Sequence, residues 1–174
     1  MESQTAVDTQ KSTQIILFTS CKGGVGKSTV CANLAMAVAG HGKRVLLIDC
    51  DFGNRCLDLV TGLSDQVIYD ISDIAFGRIP ASRAVIQDKR CGTLFFVAAP
   101  YGFDSRMNTF SFKAAVKKLS AGGNYDFIFI DTPGGIGEPL LFAASVADTA
   151  YIVVEPTRAA IRAADRTSEF LYNK

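Results

Sequence analysis

The chain has 174 residues, of which 48% are hydrophobic and 20% are charged, which is enough apolar sequence for one well-filled core rather than two. Its formal net charge of +1 gives no molecule-wide field that would attract nucleic acid or an anionic membrane, so either partner would need a local patch. Five cysteines without a C-x-x-C pair and a single histidine, His41, argue against a zinc site and favour a reduced, cytoplasmic setting.

The N-terminal part of the chain predicts a strand, a glycine-rich loop and a helix. No secretory leader or bilayer-length apolar stretch is evident, and we expect residues 1–13 to be disordered ahead of one domain over residues 14–174. Gln14–Ser20 is a short apolar, β-branched run typical of a strand, and Val30, Leu34 and Val38 recur at helical spacing after the loop. Strand, glycine loop and helix are the context in which such a loop binds phosphate.

The loop itself carries two lysines, Lys22 and Lys27. Cys21 stands where the pattern G-x-x-x-x-G-K-[ST] has its first glycine, so the sequence predicts a variant of the phosphate-binding loop. Its glycines let backbone N–H groups face a triphosphate, Lys27 reaches the β- and γ-phosphates, and Ser28 offers a hydroxyl to Mg²⁺. Lys22 is either part of this site or a solvated surface lysine. The predicted nucleotide-binding residues are Gly23, Gly24, Val25, Gly26, Lys27, Ser28 and Thr29.

Strands and helices alternate along the rest of the chain. We predict further strands at Arg44–Asp49, Leu94–Ala98, Tyr125–Ile130 and Ala150–Val154. We predict helices around Val67–Ala75 within a mixed region 63–88, at Phe112–Leu119 before a break at Gly122–Gly123, at Ile136–Ala147, and from Thr157 onward. The alternation predicts an α/β fold, with a mainly parallel sheet covered by helices on both faces.

Carboxylates follow two of these strands. Asp131 comes after an unbroken apolar strand and before a glycine-rich turn, as does a Walker B aspartate that holds Mg²⁺; a turn-capping aspartate is the alternative. Asp49 and Asp51 would point the same way if extended geometry continued past the second strand, one supporting the metal and the other orienting water. Either could instead cap the following turn. Ligands of such sheets bind beyond the carboxyl ends of the strands, where the loop, Asp49 and Asp131 converge.

Four segments together resemble the MinD/ParA family of deviant Walker A ATPases, and MinD more than ParA: CKGGVGKST, LLIDCDFGNRCLDLVTGL, FIFIDTPGGIG and EPTRAAIRAADR. The resemblance implies the P-loop NTPase fold and an ATPase that dimerises around two ATP molecules and acts as a spatial switch in division-site placement. It implies catalytic roles for Lys22, which would reach the other subunit's phosphates, for Lys27 at its own ATP and for Asp51 at the attacking water. A cation supplied across the interface would make hydrolysis depend on dimerisation.

The resemblance also implies cofactors and partners. ATP would bind with Mg²⁺, which Ser28 and Asp131 would hold with Asp49 in the outer shell of the metal. The expected partners are a second copy of the chain and a regulatory or cargo protein. The expected location is the cytoplasm, with peripheral membrane association only for a full-length form, because the family's C-terminal membrane-targeting helix is absent from this chain.

Some features depart from the family or leave other functions open. Cys56 and Ala163 replace a usual asparagine and a common acidic residue, and the chain stops before the strands that help to hold adenine, so we expect a C-terminally incomplete domain. The alternatives are a ParA-like ATPase that partitions DNA, plasmids or organelles, and a non-hydrolysing regulatory fragment. An iron–sulfur reductase would need cysteines that DTPGGIGEPL lacks, and no N-K-x-D string indicates a GTPase. Arg158, Arg162 and Arg166 would form a stripe on the last helix, and we assign no function to it.

Overall fold

Short apolar segments form one six-stranded sheet in the computed structural model, which describes residues 12–173. The strands are β1 Gln14–Ser20, β2 Val45–Asp49, β3 Ile86–Gln87, β4 Leu94–Val97, β5 Phe127–Asp131 and β6 Thr149–Val153. They lie in the order β3-β4-β2-β5-β1-β6, and each pairing is parallel except that of β3 with β4. The disorder predicted for residues 1–13 falls outside the described residues except at positions 12 and 13, where Thr13 donates its hydroxyl hydrogen to the Tyr125 carbonyl at 2.8 Å.

Six α-helices lie among residues 12–173. They are α1 Lys27–Gly40, α2 Leu57–Thr61, α3 Ile71–Ala75, α4 Thr109–Gly123, α5 Glu138–Ala144 and α6 Arg158–Tyr172. They alternate with the strands except where α3 follows α2 and β4 follows β3. None of these described helices is long and apolar enough to cross a membrane.

Side chains of the central strands alternate between two apolar cores, one on each face of the sheet. On one face Leu46 and Ile48 pack with residues of α3, α4 and α5. On the other face Val45 and Leu47 pack with residues of α1 and α2. All four side chains are fully buried. This period-two burial explains why the strand sequences are apolar throughout and confirms the predicted α/β fold with helices on both faces.

The mixed region 63–88 differs from its prediction. Its helix is only five residues long, from Ile71 to Ala75. Asp70 caps it by accepting from the Ser72 N–H at 2.7 Å, and its own N–H donates to the Asp73 carboxylate at 3.2 Å within a capping box. The segment predicted to be loose contains β3, which pairs antiparallel with β4 at the edge of the sheet. A strand of two residues is too short to show a pattern in the sequence. The sequence therefore predicts five strands, whereas the described part contains six.

The predicted helix break at Gly122–Gly123 is wrong. Helix α4 includes both glycines and ends at Gly123, and Asn124 caps it with a left-handed φ of 50°. Arg44 holds this end of the helix, because its guanidinium donates to the Gly123 carbonyl at 3.0 and 3.3 Å. Tertiary contacts thus stabilise a segment that intrinsic propensity disfavours.

The order of the central strands brings the predicted functional segments to one edge. Strand β5 lies between β2 and β1, and Asp49 lies opposite Asp131 in register. Asp131 is also opposite Phe18, three residues before the glycine-rich loop. The convergence predicted at the carboxyl ends of the strands is therefore present.

Candidate functional site

The glycine-rich loop of residues 21–26 joins β1 to α1, which begins at Lys27. Gly24 and Gly26 have φ angles of 82° and 88°, in the left-handed region that favours glycine. A Cβ at either position would meet no atom within 4 Å, so the backbone conformation rather than crowding requires glycine there. Because α1 starts directly after Gly26, its free N-terminal N–H groups and the positive end of its dipole lie at the loop, as in an anion site.

Lys27, Ser28 and Asp131 meet at this loop. The Lys27 ammonium lies 2.7 Å from Oδ1 of Asp131 and donates to the Ser28 hydroxyl at 3.1 Å. Lys27 is 7% exposed and Asp131 is fully buried. Residues predicted from two separate motifs are therefore in direct contact, although 104 positions separate Lys27 from Asp131.

Asp131 has one oxygen that no group of the described residues satisfies. Its Oδ2 is buried and has no hydrogen-bond partner in this part of the chain. Burial raises the pKa of the Asp131 carboxyl, and the Lys27 charge opposes that shift. A buried, unpaired carboxylate oxygen is costly unless a cation or donor reaches it.

This donor set fits Mg²⁺. The ion prefers oxygen ligands and is usually bound through one or two carboxylates together with water and substrate phosphates. Ser28 Oγ and the unpartnered Asp131 Oδ2 supply such oxygens beside the phosphate loop. The described residues contain no group of three His, Cys, Asp or Glu side chains that could hold a metal ion.

Asp49 uses both carboxylate oxygens to fold the loop after β2. Oδ1 accepts from the Asp51 N–H at 2.8 Å, and Oδ2 accepts from the Leu57 N–H at 3.0 Å, at the start of α2. Burial raises the pKa of the Asp49 carboxyl to about 7, against the effect of these two hydrogen bonds. The capping alternative is therefore present in the structure, and the outer-shell metal role of Asp49 stays a prediction.

Asp51 lies past the end of the strand. Strand β2 ends at Asp49, and the Phe52 N–H bonds the Cys50 carbonyl at 3.0 Å, so extended geometry does not continue to Asp51. The partly exposed Asp51 carboxylate accepts from the Asn54 amide at 3.1 Å. The two carboxylates thus occupy different settings, one buried in backbone hydrogen bonds and the other open to a water molecule.

Lys22 lies in the glycine-rich loop and is exposed. The turn after β5 packs against the backbone at this point: a Cβ on Gly134 would lie 2.8 Å from both the Lys22 carbonyl carbon and the Gly23 nitrogen. The Gly135 N–H also donates to the Ser20 carbonyl at 2.7 Å. Gly134 is a close-approach position that the sequence analysis did not single out, and only the pair of glycines after Asp131 indicated it.

The five cysteines form no disulfide. Cys31 and Cys50 are fully buried, and burial raises the pKa of both thiols, so they are packed as apolar groups. Cys56 precedes α2, with its sulfur 4.0 Å from the Asn54 carbonyl.

The comparisons with known proteins identify the family. A family model described as ParA: NUBPL iron-transfer P-loop NTPase matches residues 11–174. The chain belongs to this ParA family of P-loop NTPases. The septum site-determining protein MinD of Bacillus subtilis (strain 168) is 41% identical to it over 155 residues, which are 88% of this chain and 57% of the relative. The predicted resemblance to the MinD/ParA family is confirmed.

Solved structures share the fold of this ParA-family chain. The MinC:MinD cell division protein complex of Aquifex aeolicus matches with a TM-score of 0.83 and 41% identity, covering 92% of this chain and 64% of the matched chain. MinD complexed with Mg-ADP from Pyrococcus horikoshii OT3 matches with a TM-score of 0.79 and 28% identity, covering 92% and 65%. The chain therefore spans less than two thirds of the length of each of these relatives.

Proposed function

We propose that this ParA-family protein binds and hydrolyses ATP with Mg²⁺, dimerises on ATP, and acts as a MinD-like spatial switch in division-site placement. The observation that carries the proposal is the buried contact of Lys27 with Asp131 at 2.7 Å beside the left-handed glycine loop. Its 41% identity to a MinD protein supports the division-site role rather than DNA partitioning.

Residues 23–29 would bind the ATP phosphates. Backbone N–H groups of the loop and of the first turn of α1 face the same region, and the helix dipole adds to their effect. The Lys27 ammonium has three donor hydrogens; contacts with Asp131 and Ser28 use two, which leaves one for a phosphate oxygen.

Ser28 and Asp131 would hold Mg²⁺ next to these phosphates, with Asp49 in the outer shell. When bound, the ion neutralises charge that develops on the β- and γ-phosphate oxygens. Asp49 contributes independently by fixing the loop that carries Asp51, through its bond to the Asp51 N–H. The partly exposed Asp51 carboxylate would orient the attacking water.

Lys22 would complete the site of a second subunit. Its side chain is exposed, so it is free to meet the phosphates of a facing copy, whereas Lys27 is buried in its own site. A cation that arrives only with the partner restricts hydrolysis to the dimer. The switch would then separate into monomers when ATP is spent.

A regulatory protein is the partner that the relatives favour, since one matched structure is a MinC:MinD complex. We propose a cytoplasmic location, with peripheral membrane association in a full-length form. A non-hydrolysing regulatory fragment would instead bind ATP and show no turnover.

Nucleotide binding, dimerisation and hydrolysis by Lys27→Ala and Lys22→Ala test the proposal, with the exposed Lys43→Ala as the matched control. Lys27→Ala should bind ATP about 10–100-fold more weakly, because a charge-assisted hydrogen bond is lost. Lys22→Ala should keep its ATP affinity and lose turnover by a factor on the order of 10³. Full ATP affinity in Lys27→Ala would overturn the phosphate-loop assignment, and wild-type dimerisation and turnover in Lys22→Ala would overturn the cross-subunit role.

A further inference from the structure

Arg55 has an unusual backbone and an unusual environment. Its φ angle is 45°, in the left-handed region, and it is one of two residues other than glycine with positive φ among residues 12–173. Its side chain is nevertheless 6% exposed. Residues with long side chains rarely adopt this backbone conformation. Such backbone strain persists only where the surroundings hold the residue in place.

Two contacts hold the Arg55 guanidinium. Its Nε and Nη2 donate to Oδ2 of Asp58 at 3.1 and 2.7 Å, and Asp58 is only 2% exposed. The other carboxylate oxygen, Oδ1, accepts from the Leu59 N–H at 2.8 Å. The guanidinium carbon lies 3.9 Å from the centre of the Tyr101 ring. The buried charge is therefore paired along one edge and covered on one face.

Arg55 also closes the turn that carries Asp51. The Arg55 N–H donates to the Asp51 carbonyl at 3.0 Å, within the same turn in which Asn54 bonds the Asp51 carboxylate. The Gly53 N–H donates to the Pro100 carbonyl at 3.2 Å, next to Tyr101. The turn is thus tied to α2 through Asp58 and to the segment after β4 through Tyr101.

We infer that Arg55 is a positioning residue, which fixes the turn of residues 51–55 through Asp58 and Tyr101 and so holds the Asp51 carboxylate in place. The catalytic part of this inference rests on the proposed function, in which Asp51 orients water. A buried ion pair contributes little net stability, so a role in fixing geometry accounts for it better than a role in folding strength. Lysine could not replace it, because an ammonium lacks the planar fork that makes two bonds to the carboxylate and lies flat on a ring.

The first test measures the turn directly by amide hydrogen exchange in the 174-residue chain without nucleotide. Arg55→Lys keeps the positive charge beside Asp58, and we expect its amides at residues 51–57 to exchange about tenfold faster or more, because the turn opens locally. Arg78→Lys is the matched control: Arg78 also pairs with an aspartate, Asp73 at 3.0 Å, and lies over a ring, Phe76 at 5.0 Å, but belongs to the region of α3. It should leave exchange at residues 51–57 unchanged.

The second test separates binding from turnover in the same variants. Displacing the Asp51 carboxylate by about 1 Å is enough for a loss of kcat on the order of 10–100-fold in Arg55→Lys. ATP affinity should stay within about twofold, since Arg55 acts through Asp51 and not on the phosphates. The double variant Arg55→Lys with Asp58→Glu should recover part of kcat and of exchange protection, because the longer acid reaches the shorter base. Tyr101→Leu, at a residue 78% exposed, should show a smaller change in the same direction.

The two tests can overturn different parts of the inference. Unchanged exchange at residues 51–57 in Arg55→Lys overturns the positioning role, whatever happens to turnover. Faster exchange with unchanged kcat overturns its catalytic significance. If the wild type binds no ATP or hydrolyses none, the proposed function fails, and the exchange measurement still decides whether Arg55 fixes the turn.

Discussion

Asp49 is a buried acid at the centre of the site edge, and its burial makes folding depend on pH. Its pKa is raised from 3.8 to about 7 in the folded protein. Below about pH 4 the carboxyl is protonated in both states and its contribution to stability is complete. As pH rises toward 7 the unfolded chain ionises first, so this contribution is lost progressively. Above pH 7 both states are ionised and the loss stays constant, at about 4 kcal/mol.

Asp49→Asn should remove this dependence. Without Mg²⁺ or nucleotide, the free energy of unfolding of the variant relative to wild type should rise between pH 4 and pH 8 by up to about 4 kcal/mol. Urea unfolding across that range measures it. Thr61→Val is the non-titrating control, because it removes a buried hydroxyl that donates to the Leu57 carbonyl at 2.8 Å in the helix that Asp49 caps. Equal pH dependence in Asp49→Asn and wild type would contradict the prediction.

Individual residues were predictable where a motif and a strand end coincide. Lys27, Ser28 and Asp131 belong to local patterns, and the topology of a parallel sheet brings such patterns together. Arg55 could not be found in this way, because its left-handed backbone and its pairing with Asp58 depend on the folded turn. The hydrogen bonds of Asp49 also depend on where β2 ends, one residue or two being enough to redirect a carboxylate.

Two adjacent glycines at the end of α4 make a sensitive test of that helix. Gly122 is exposed and a Cβ there would meet nothing within 4 Å, whereas a Cβ on Gly123 would overlap the buried Tyr125 ring. Gly122→Ala should stabilise the protein by roughly 0.5–1 kcal/mol through the lower entropy of the unfolded chain. Gly123→Ala should destabilise it by roughly 1–3 kcal/mol through overpacking.

Urea unfolding of the pair at one pH measures both effects, and each variant is the control for the other. Equal free energies of unfolding would show that the Tyr125 ring does not cover Gly123 and would contradict the prediction. The comparison has this power because the two sites differ in what a methyl group would touch and not in helix propensity.

At the scale of elements, the sequence predicted the helices and strands that are long enough to show a hydrophobic pattern. The long strands are continuous apolar runs and α1 has apolar residues at helical spacing, and the positions of these elements agree with the prediction. The buried face of α1 differs from the pattern, because Val30 and Leu34 are exposed and small residues such as Ala35 face the core. The short elements α2, α3 and β3 have between two and five residues, fewer than a pattern needs. The end of α4 was wrong because glycine propensity was outweighed by the hydrogen bonds from Arg44 and by the left-handed Asn124.

At the scale of the whole molecule, the sheet order decides which segments form the site. Placing β5 between β2 and β1 sets the Asp131 carboxylate between the phosphate loop and Asp49. Apolar cores on both faces hold these strands in place, and the strands in turn fix the positions at which the loops of the site begin. Ligand that joins these loops is therefore expected to stabilise the entire fold, not only the site.

Mg-ATP should accordingly raise the melting temperature of the chain. Ligand at about 100 times its Kd adds about 2.7 kcal/mol to the free energy of unfolding. For a domain of this size that corresponds to a rise in Tm on the order of 5–10 °C. Replacing Mg²⁺ by EDTA should reduce the rise, because phosphates and the Asp131 carboxylate then face each other without a cation.

In the same melting experiment, Asp131→Asn distinguishes the contribution of the metal to Tm from that of the phosphate loop. The variant keeps the loop but loses the carboxylate, so its Tm with ATP should differ little between Mg²⁺ and EDTA. Asp104→Asn is the control, since this partly exposed acid pairs with Arg106 at 2.6 Å rather than with Lys27, and it should respond as wild type does. A full Mg²⁺-dependent rise in Asp131→Asn would mean that the ion is held by other groups, because a fold-wide stabilisation by metal needs a ligand from the protein.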